Sequence, residues 1–423
     1  MKTIALVWYR WNLRTRDCAP LEAASRSGLP VVPFYCFDDR YHGTLYTGWP
    51  RTGMHRTRFL LESLNDLRRS LLAAGSDLYC KKGLTEDIIR EIHSKFSIAA
   101  IYYPKYYSQD EIEIEYNVSK LNIPMIGFDE HSLIDPDDLP IDVAQLPYVF
   151  TEFRKKVEKS LKIKTERPWI RDLTTPSEFI EASSIPDIDS FGFPTQSDTN
   201  PKAAFALQGG ETNAWKRVEY YIWNSRKIST YKQTRNGLIG EDYSSKFSPY
   251  LAMGNISARS IYWQIKAYEQ EIESNESTYW LFFELLWRDF FIFNAMKMNE
   301  SFFKVARHYK PKITKSFEKW RLGETNEPFV NANMIELLKT GYMSNRGRQV
   351  VASYLVHNLK QPWYAGALWF ESQLIDYDVY SNYGNWTYVA GIGNDPRNRV
   401  FNVKRQAEMY DPDGSYQRHW LGT

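Results

Sequence analysis

The chain has 423 residues, a formal net charge of +2 and 16% aromatic residues, with 14 Trp and 29 Tyr among them. That length allows two domains, or one large one, around a substantial core. The balanced charge excludes a global basic field as the basis of nucleic-acid binding and leaves only local patches.

The first 130 residues alternate short apolar strands with amphipathic helices. "TIALVWY" (3–9), "PVVPFYCF" (30–37), "SDLYC", "IAAIYYP" and "IPMIGFD" read as strands. "MHRTRFLLESLNDLRRSLLAAG" (54–75) and "EDIIREIHSKF" read as helices. The alternation predicts a doubly wound parallel sheet, whose ligands sit at the carboxyl ends of the strands. No G-x-G-x-x-G follows the first strand, so the dinucleotide fingerprint is absent. Cys18, Cys36 and Cys80 are odd in number and fit no zinc spacing, so no metal is expected. They read as reduced thiols, and "MKTIALVWY" reads as a strand rather than a signal peptide; both point to a cytoplasmic protein.

From 131 to 201 the pattern degrades into stretches rich in Pro, Ser and Asp, with one helix at "YVFTEFRKKVEKSLK". We read 131–201 as an interdomain linker and 202–423 as an all-helical domain. "YWLFFELLWRDFFIFNAM" (279–296) is the most apolar run, but Glu284, Arg288 and Asp289 at its middle make it a buried helix, not a membrane span.

Four places in the helical half carry chemistry. Ser244, Ser245 and Ser248 precede a helix opened by Pro249; they form either plain N-caps or, with Lys246, an anion site. Trp280, Glu284, Trp287 and Arg288 share a helix face, either as a stacking pocket with a polar handle or as an ion pair beside core aromatics. In "GYMSNRGRQVVASYLVHNL", Asn345, Arg348, Gln349 and Ala352 share a face if the helix begins near Ser344. Arg348 then reaches Asp376 or Asp378, and Arg346 points elsewhere. Finally, "IDYDVYSNYGNWTY" (375–388) mixes carboxylates, amides and aromatics; it is a turn between helices or a wall gripping a flat polar ring.

These blocks in this order, "YKQTRNG", "SSKFSPYLAMG", "FELLWRDFF", "MSNRGRQVVASYLVHNL" and "WFESQLIDYDVYSNYGNWTYVAGIGNDPRNRVFN", resemble the photolyase/cryptochrome flavoproteins, most closely the DASH cryptochromes. The match is dense from 202 onward and looser over 1–160. The resemblance implies an α/β antenna domain, a linker over the surface and a helical domain holding a bent FAD. Tyr231, Ser244, Ser245, Lys246, Phe247 and Ser248 would surround the diphosphate. Arg348 would pair with Asp376 beside the isoalloxazine, Asp378 would face N3 and Asn382 would face N5.

It also implies blue-light splitting of cyclobutane pyrimidine dimers. Glu284 and Asn345 would contact the dimer, and Trp287 would stack on it. Tyr388 and Gln349 stand where the duplex-repairing photolyases have Trp and Met. These swaps point to single-stranded DNA, where flipping costs little. Arg288, Arg346, Arg397, Arg399, Lys404 and Arg405 are the phosphate-contact candidates. Trp386 and Trp363 match the family's electron relay, but Lys310 stands near the surface tryptophan's place, leaving Trp320 or Tyr309 as substitutes. The family's second chromophore, 5,10-methenyltetrahydrofolate, is in question because Tyr106 replaces the expected Glu, with Glu152 as a compensating candidate. The expected protein is a monomer with no membrane partner. The alternative is a blue-light sensor with the same fold; the stop at "YQRHWLGT", without a long tail, favours the enzyme.

Overall fold

A computed structural model describes residues 2–181, 184–195, 200–203, 207–305, 309–394 and 400–422. Five parallel strands, β1 (Thr3–Tyr9), β2 (Val31–Asp38), β3 (Tyr79–Gly83), β4 (Ser97–Pro104) and β5 (Met125–Phe128), form one sheet in the order β3-β2-β1-β4-β5. β2 is buried along its whole length and β1 along all but Thr3, as continuous apolar runs covered on both faces must be.

The period of two divides each strand between two cores. Ile4, Leu6 and Trp8 face one side, where they pack with Ile88, Ile89 and Ile92 of the helix Thr85–Lys95 and Ile114 and Val118 of the helix Gln109–Ser119. Ala5, Val7 and Tyr9 face the other, packed with the helices Ala19–Ser25 and Met54–Ala73 in a core that continues into the helical half. The seven-residue helix Ala19–Ser25 was too short to show a period in the sequence.

The helical half is arranged around Glu276–Met298, a 23-residue helix opened by a capping box at Asn275. Among the described residues no helix is long and apolar enough to cross a membrane. The stretch after 131 is pinned rather than loose. Leu133 and Ile134 donate their backbone N–H groups to Asp289 at 2.8 and 2.9 Å, and Leu173 donates to the Ala74 carbonyl at 2.8 Å. The two halves are also stapled by polar contacts. Glu211 accepts from Thr15 N and Arg16 N at 2.8 and 3.0 Å, and Asp17 accepts from Ser257 Oγ and Arg259 Nε at 2.6 and 3.0 Å. At the same seam Gly254 (φ 67°) lies so close to Trp11 that a Cβ would overlap the Trp11 carbonyl oxygen. Gly254→Ala is therefore expected to cost ~3 kcal/mol through left-handed strain plus overlap, read as a lowered denaturation midpoint.

Burial pushes the Asp289 carboxyl up to about 7, against the two N–H donors that favour its ionised form. The folded protein then holds a proton that the unfolded chain releases near pH 4. Stability should fall as pH rises from about 4 to about 7 and level off above that. A thermal-midpoint profile of Asp289→Asn should be lower but flatter across this range; a parallel profile would refute the assignment.

Candidate functional site

Two cavities of about 400 and 310 Å3 meet in the helical half, sharing Asn345, Arg346, Arg348, Gln349, Asp376 and Asp378 as walls. Together they are the size of a cofactor site. The larger one is floored by the segment 243–248. Arg217 shapes this floor from beneath: Nε donates to the Ser245 carbonyl at 2.9 Å, and Nη2 donates to the carbonyls of Glu241 and Ser244 at 2.9 and 3.2 Å. With its carbonyls engaged below, the segment presents Ser244, Ser245, Lys246, Phe247 and Ser248 to the cavity, beside Tyr231. No serine side chain caps the short helix Ser248–Met253; Phe247 is its N-cap residue. Ser248 Oγ instead donates to Asp376 Oδ2 at 2.6 Å.

Lys246 is buried in a left-handed backbone conformation (φ 58°), with its Nζ 3.1 Å from the centre of the Tyr243 ring and without a hydrogen-bond partner. Burial drives its ammonium pKa well down, opposed by Glu336, whose own carboxyl burial pushes up to about 7. An unpartnered buried amine on a cavity wall is a built-in anion donor.

The helix Asn345–Ser353 begins after Ser344, whose side chain caps it through Gly347 N at 3.0 Å. This brings Asn345, Arg348, Gln349 and Ala352 onto one cavity wall. Arg348 Nη2 donates to Asp376 Oδ2 at 2.8 Å, while Asp376 Oδ1 is buried without a partner. The 375–388 stretch is both turn and helix: Asp378 caps Val379–Val389 by accepting from Ser381 N at 2.7 Å. Its other oxygen accepts from His131 Nε2 at 3.0 Å. Despite burial, the His131 hydrogen bond and the neighbouring positive charge hold the Asp378 carboxyl well below the usual range. Asn382 Nδ2 donates to the Ala367 carbonyl at 3.1 Å, so one of the two N–H groups of that amide is already engaged.

On the opposite wall, Glu284 forms an ion pair with Arg235, and burial raises its carboxyl pKa against that pairing. Arg235 also lies over Trp280 at 4.4 Å. Trp287 stacks on Phe150, from the stretch after 131, at 3.7 Å and 13°, so one indole face is covered. Tyr388 meets Trp287 edge-on at 6.1 Å.

The arginine candidates divide. Arg288 is turned inward, its guanidinium on the His131 carbonyl and ring. Arg346 lines the cleft, bonds Asn236 Oδ1 at 3.2 Å and lies over Tyr410. Lys404 and Arg405 are exposed on the helix Val403–Tyr410. Arg397 and Arg399 lie outside the described residues.

Trp386 lines the cleft, and its ring closes on Gly366, where a Cβ would overlap it. Trp320 packs edge-on to Trp386 at 6.3 Å but is 0% exposed, with Nε1 donating to the Val351 carbonyl. It therefore leads into the core rather than to solvent. Trp363 is partly exposed and touches Tyr364 at 5.7 Å, which in turn touches Tyr309, 44% exposed, at 5.9 Å.

The α/β crevice, where the resemblance places a folate, is narrow. At the switch point between β1 and β4, the Arg10 guanidinium pairs with Glu115 and lies over Tyr106 at 4.9 Å; Tyr106 is buried. A cavity between the sheet and the helical half measures about 50 Å3, room for a few waters. Glu152 is exposed on its helix, beside Lys155.

His131, Arg217, Arg235 and Phe150 were not singled out from the sequence. Arg235 sits inside "YKQTRNG", a block with a visible signature; the other three carry no spacing that links them to the cleft.

An FAD fits the residues present in the cleft. The paired cavities have the volume, Lys246 supplies an unanswered donor for a diphosphate, and Asp376 Oδ1 supplies an unanswered acceptor for a polar ring.

Residues 5–172 match the DNA photolyase family, and residues 280–423 match the FAD binding domain of DNA photolyase. The chain is 46% identical over 430 residues to Cryptochrome DASH of Gloeobacter violaceus, covering 99% of this chain and 85% of that protein. It is 44% identical over 427 residues to Cryptochrome DASH of Xenopus laevis, covering 97% of this chain and 81% of that protein. The crystal structure of a Synechocystis cryptochrome superposes with a TM-score of 0.94 at 43% identity, covering all of this chain (100%) and 89% of that one. A bacterial class III photolyase from Agrobacterium tumefaciens superposes with a TM-score of 0.84 at 27% identity, covering 100% and 87%. With an α/β layer, an FAD-binding helical half and relatives of this identity along its whole length, the chain belongs to the photolyase/cryptochrome family, among the DASH cryptochromes.

Proposed function

We propose that this protein is a blue-light-driven DNA repair lyase that splits cyclobutane pyrimidine dimers chiefly in single-stranded DNA. The observation that carries the reading is one cleft whose walls hold two chemistries. Lys246, Ser248, Arg348 and Asp376 line the same cavity as Glu284, Trp287, Asn345, Gln349 and Tyr388. In this reading 1–130 is the antenna-type domain, 131–201 the linker and 202–423 the catalytic domain. The protein acts as a monomer in the cytoplasm, with its three thiols buried and reduced.

When bound, FAD supplies the light absorption and the electron that opens the dimer. The chain's residues bind and orient. Lys246 and the 243–248 backbone hold the diphosphate. Arg348 and Asp376 set the ring in place, with Asp378 and the free oxygen of Asn382 at its edge. Glu284, with its raised carboxyl pKa, shares a proton with the pyrimidine carbonyls more readily than an exposed carboxylate would. Trp287, Asn345 and Gln349 shape the dimer pocket. Arg346, Lys404 and Arg405 contact phosphates, with Arg397 and Arg399 alongside in the chain. Arg288 has its guanidinium engaged by His131, so its part in DNA binding is secondary.

Strand preference follows from magnitudes. Flipping a lesion out of a duplex costs a few kcal/mol, and an aromatic stack returns ~1–3 kcal/mol per base. Trp287 has one face covered and Tyr388 stands edge-on, so the pocket recovers little of that cost. Trp386 and Trp363 carry electrons to the ring during photoreduction. Tyr309, not Trp320, is the surface end that the exposures favour. A sensor role is the second reading, favoured by the covered face of Trp287 beside an intact cleft-lining Trp386.

The deciding experiment is blue-light repair by chemically reduced protein of a thymine dimer in single-stranded and duplex oligonucleotides, with a dark control. Repair of the single strand alone is expected. Equal repair of both would refute the strand preference, and no repair by an FAD-loaded protein would leave the sensor.

Two substitutions probe the parts separately. Glu284→Gln should cut repair ~100-fold or more while FAD content stays at the wild-type level; loss of FAD instead would make Glu284 a fold residue. Lys246→Met should weaken FAD retention ~10-fold or more and flatten its salt dependence. Unchanged retention in a flavin-release assay would remove Lys246 from the diphosphate site.

A further inference from the structure

We infer that His131 is a positioning residue for the cofactor, holding Asp378 in one orientation at the edge of the cleft from the far side of the cleft wall. The inference rests on the reading of Asp378 as a flavin-edge contact.

Asp378 is the partition between two spaces. It lines the cleft on one side and the 50 Å3 cavity beneath the sheet on the other, and His131 lines only the latter. The side chains of both are nearly buried, at 10% and 8% exposure. Among the described residues no Lys or Arg bonds Asp378 directly; its two oxygens take Ser381 N–H and His131 Nε2. A buried carboxylate that borrows no cation of its own depends on those donors.

His131 is itself held. Tyr106 meets its ring edge-on at 5.2 Å and Tyr380 lies tilted at 5.7 Å, so the imidazole is packed between two rings. Arg288 grips the His131 carbonyl, and its Nη2 lies 3.0 Å from both ring nitrogens. An ionised carboxylate only accepts, so Nε2 carries the hydrogen given to Asp378, and an uncharged ring leaves Nδ1 as the nitrogen that accepts from Arg288. One neutral tautomer satisfies both neighbours. The positive charge of Arg288 thus reaches Asp378 through an uncharged ring, without occupying the carboxylate.

An ionised carboxylate has about four lone-pair sites. Ser381 and His131 take two, and the rest remain for a ring N–H on the cleft side. Without His131 the carboxylate loses one of two anchors and can turn towards Arg288. The groups facing the imidazole are Asp378, Arg288, Arg14, Tyr106 and Tyr380; burial first, then Arg288, brings its pKa down to about 4 against the pull of Asp378. His131 comes from the stretch after 131, so packing of the sheet against that stretch is felt at the flavin edge.

The test uses FAD-loaded protein and two readouts: FAD dissociation constant and the position and fine structure of the flavin absorption bands. His131→Leu should weaken FAD roughly tenfold, the scale of leaving one buried acceptor unanswered, and shift the bands in the same direction as Asp378→Asn. His131→Gln, whose amide can donate, should restore both; a Gln variant no better than Leu counts against the inference. Wild-type affinity and spectrum in His131→Leu, with both altered in Asp378→Asn, would overturn the inference alone. Both variants unchanged would overturn the flavin-edge reading of Asp378 and the inference with it. If His131→Leu does not fold, histidine-selective 15N NMR of the wild-type protein decides. A neutral Nε2–H ring that does not titrate between about pH 5 and 8 supports the inference; a ring gaining a proton near 6.5 refutes it.

Discussion

Three charged side chains sit at the middle of a helix that is otherwise among the most apolar stretches of the chain, and the need to answer them organises the molecule. Breaking a buried pair costs ~3–5 kcal/mol, a large share of the ~5–15 kcal/mol that holds a typical domain together. Glu284 draws Arg235 out of the segment that follows Tyr231. Arg288 draws in His131, and Asp289 takes the backbone N–H groups of Leu133 and Ile134. Two of these three partners belong to the stretch after 131. That stretch looks like a loose linker in composition but acts as a strap, held against the central helix by the bonds of Arg288 and Asp289. Phe150, further along it, closes over one face of Trp287 on the same helix.

The cleft is defined by the opposite condition. The three charged groups of the central helix are answered within the protein; at the cleft some buried polar atoms are not. Lys246 Nζ has only the faces of Tyr243 and Tyr342, and one oxygen of Asp376 has nothing. Buried polar atoms without partners are costly, and on a cavity wall a ligand can complete the set. The donor lies on the 243–248 floor and the acceptor beside Arg348, which is the polarity expected for a cofactor that is anionic at one place and offers ring N–H groups at another.

The aromatic excess of the composition resolves into distinct uses. Some rings are plain packing: Trp320 is sealed in the core despite its contact with Trp386. Others line the cleft, and a third set steps from Trp363 through Tyr364 to the exposed Tyr309. At the α/β crevice, rings and an ion pair fill the place where a doubly wound sheet ordinarily receives a ligand. Chemically similar residues thus serve as core, wall, surface and plug, and burial alone distinguishes them.

By itself the sequence determined what depends on local periodicity and on dense motifs. The strand–helix alternation made the parallel sheet legible, and the spacing from Ser344 to Ala352 placed Asn345, Arg348 and Gln349 on one face, because a helix repeat is a property of neighbours in the chain. The blocks after 202 identified the family for the same reason: their residues are close in sequence. Only the tertiary structure decided which long-range partner each group took. Ser248 turned to Asp376 instead of capping its helix, Arg288 turned inward to His131, and Trp320 proved fully buried. Those choices depend on which donors and acceptors lie across a packed interface and on the cost of leaving any unmet. Side chains more than a hundred residues apart, such as His131 and Asp378, carry no spacing that announces their contact.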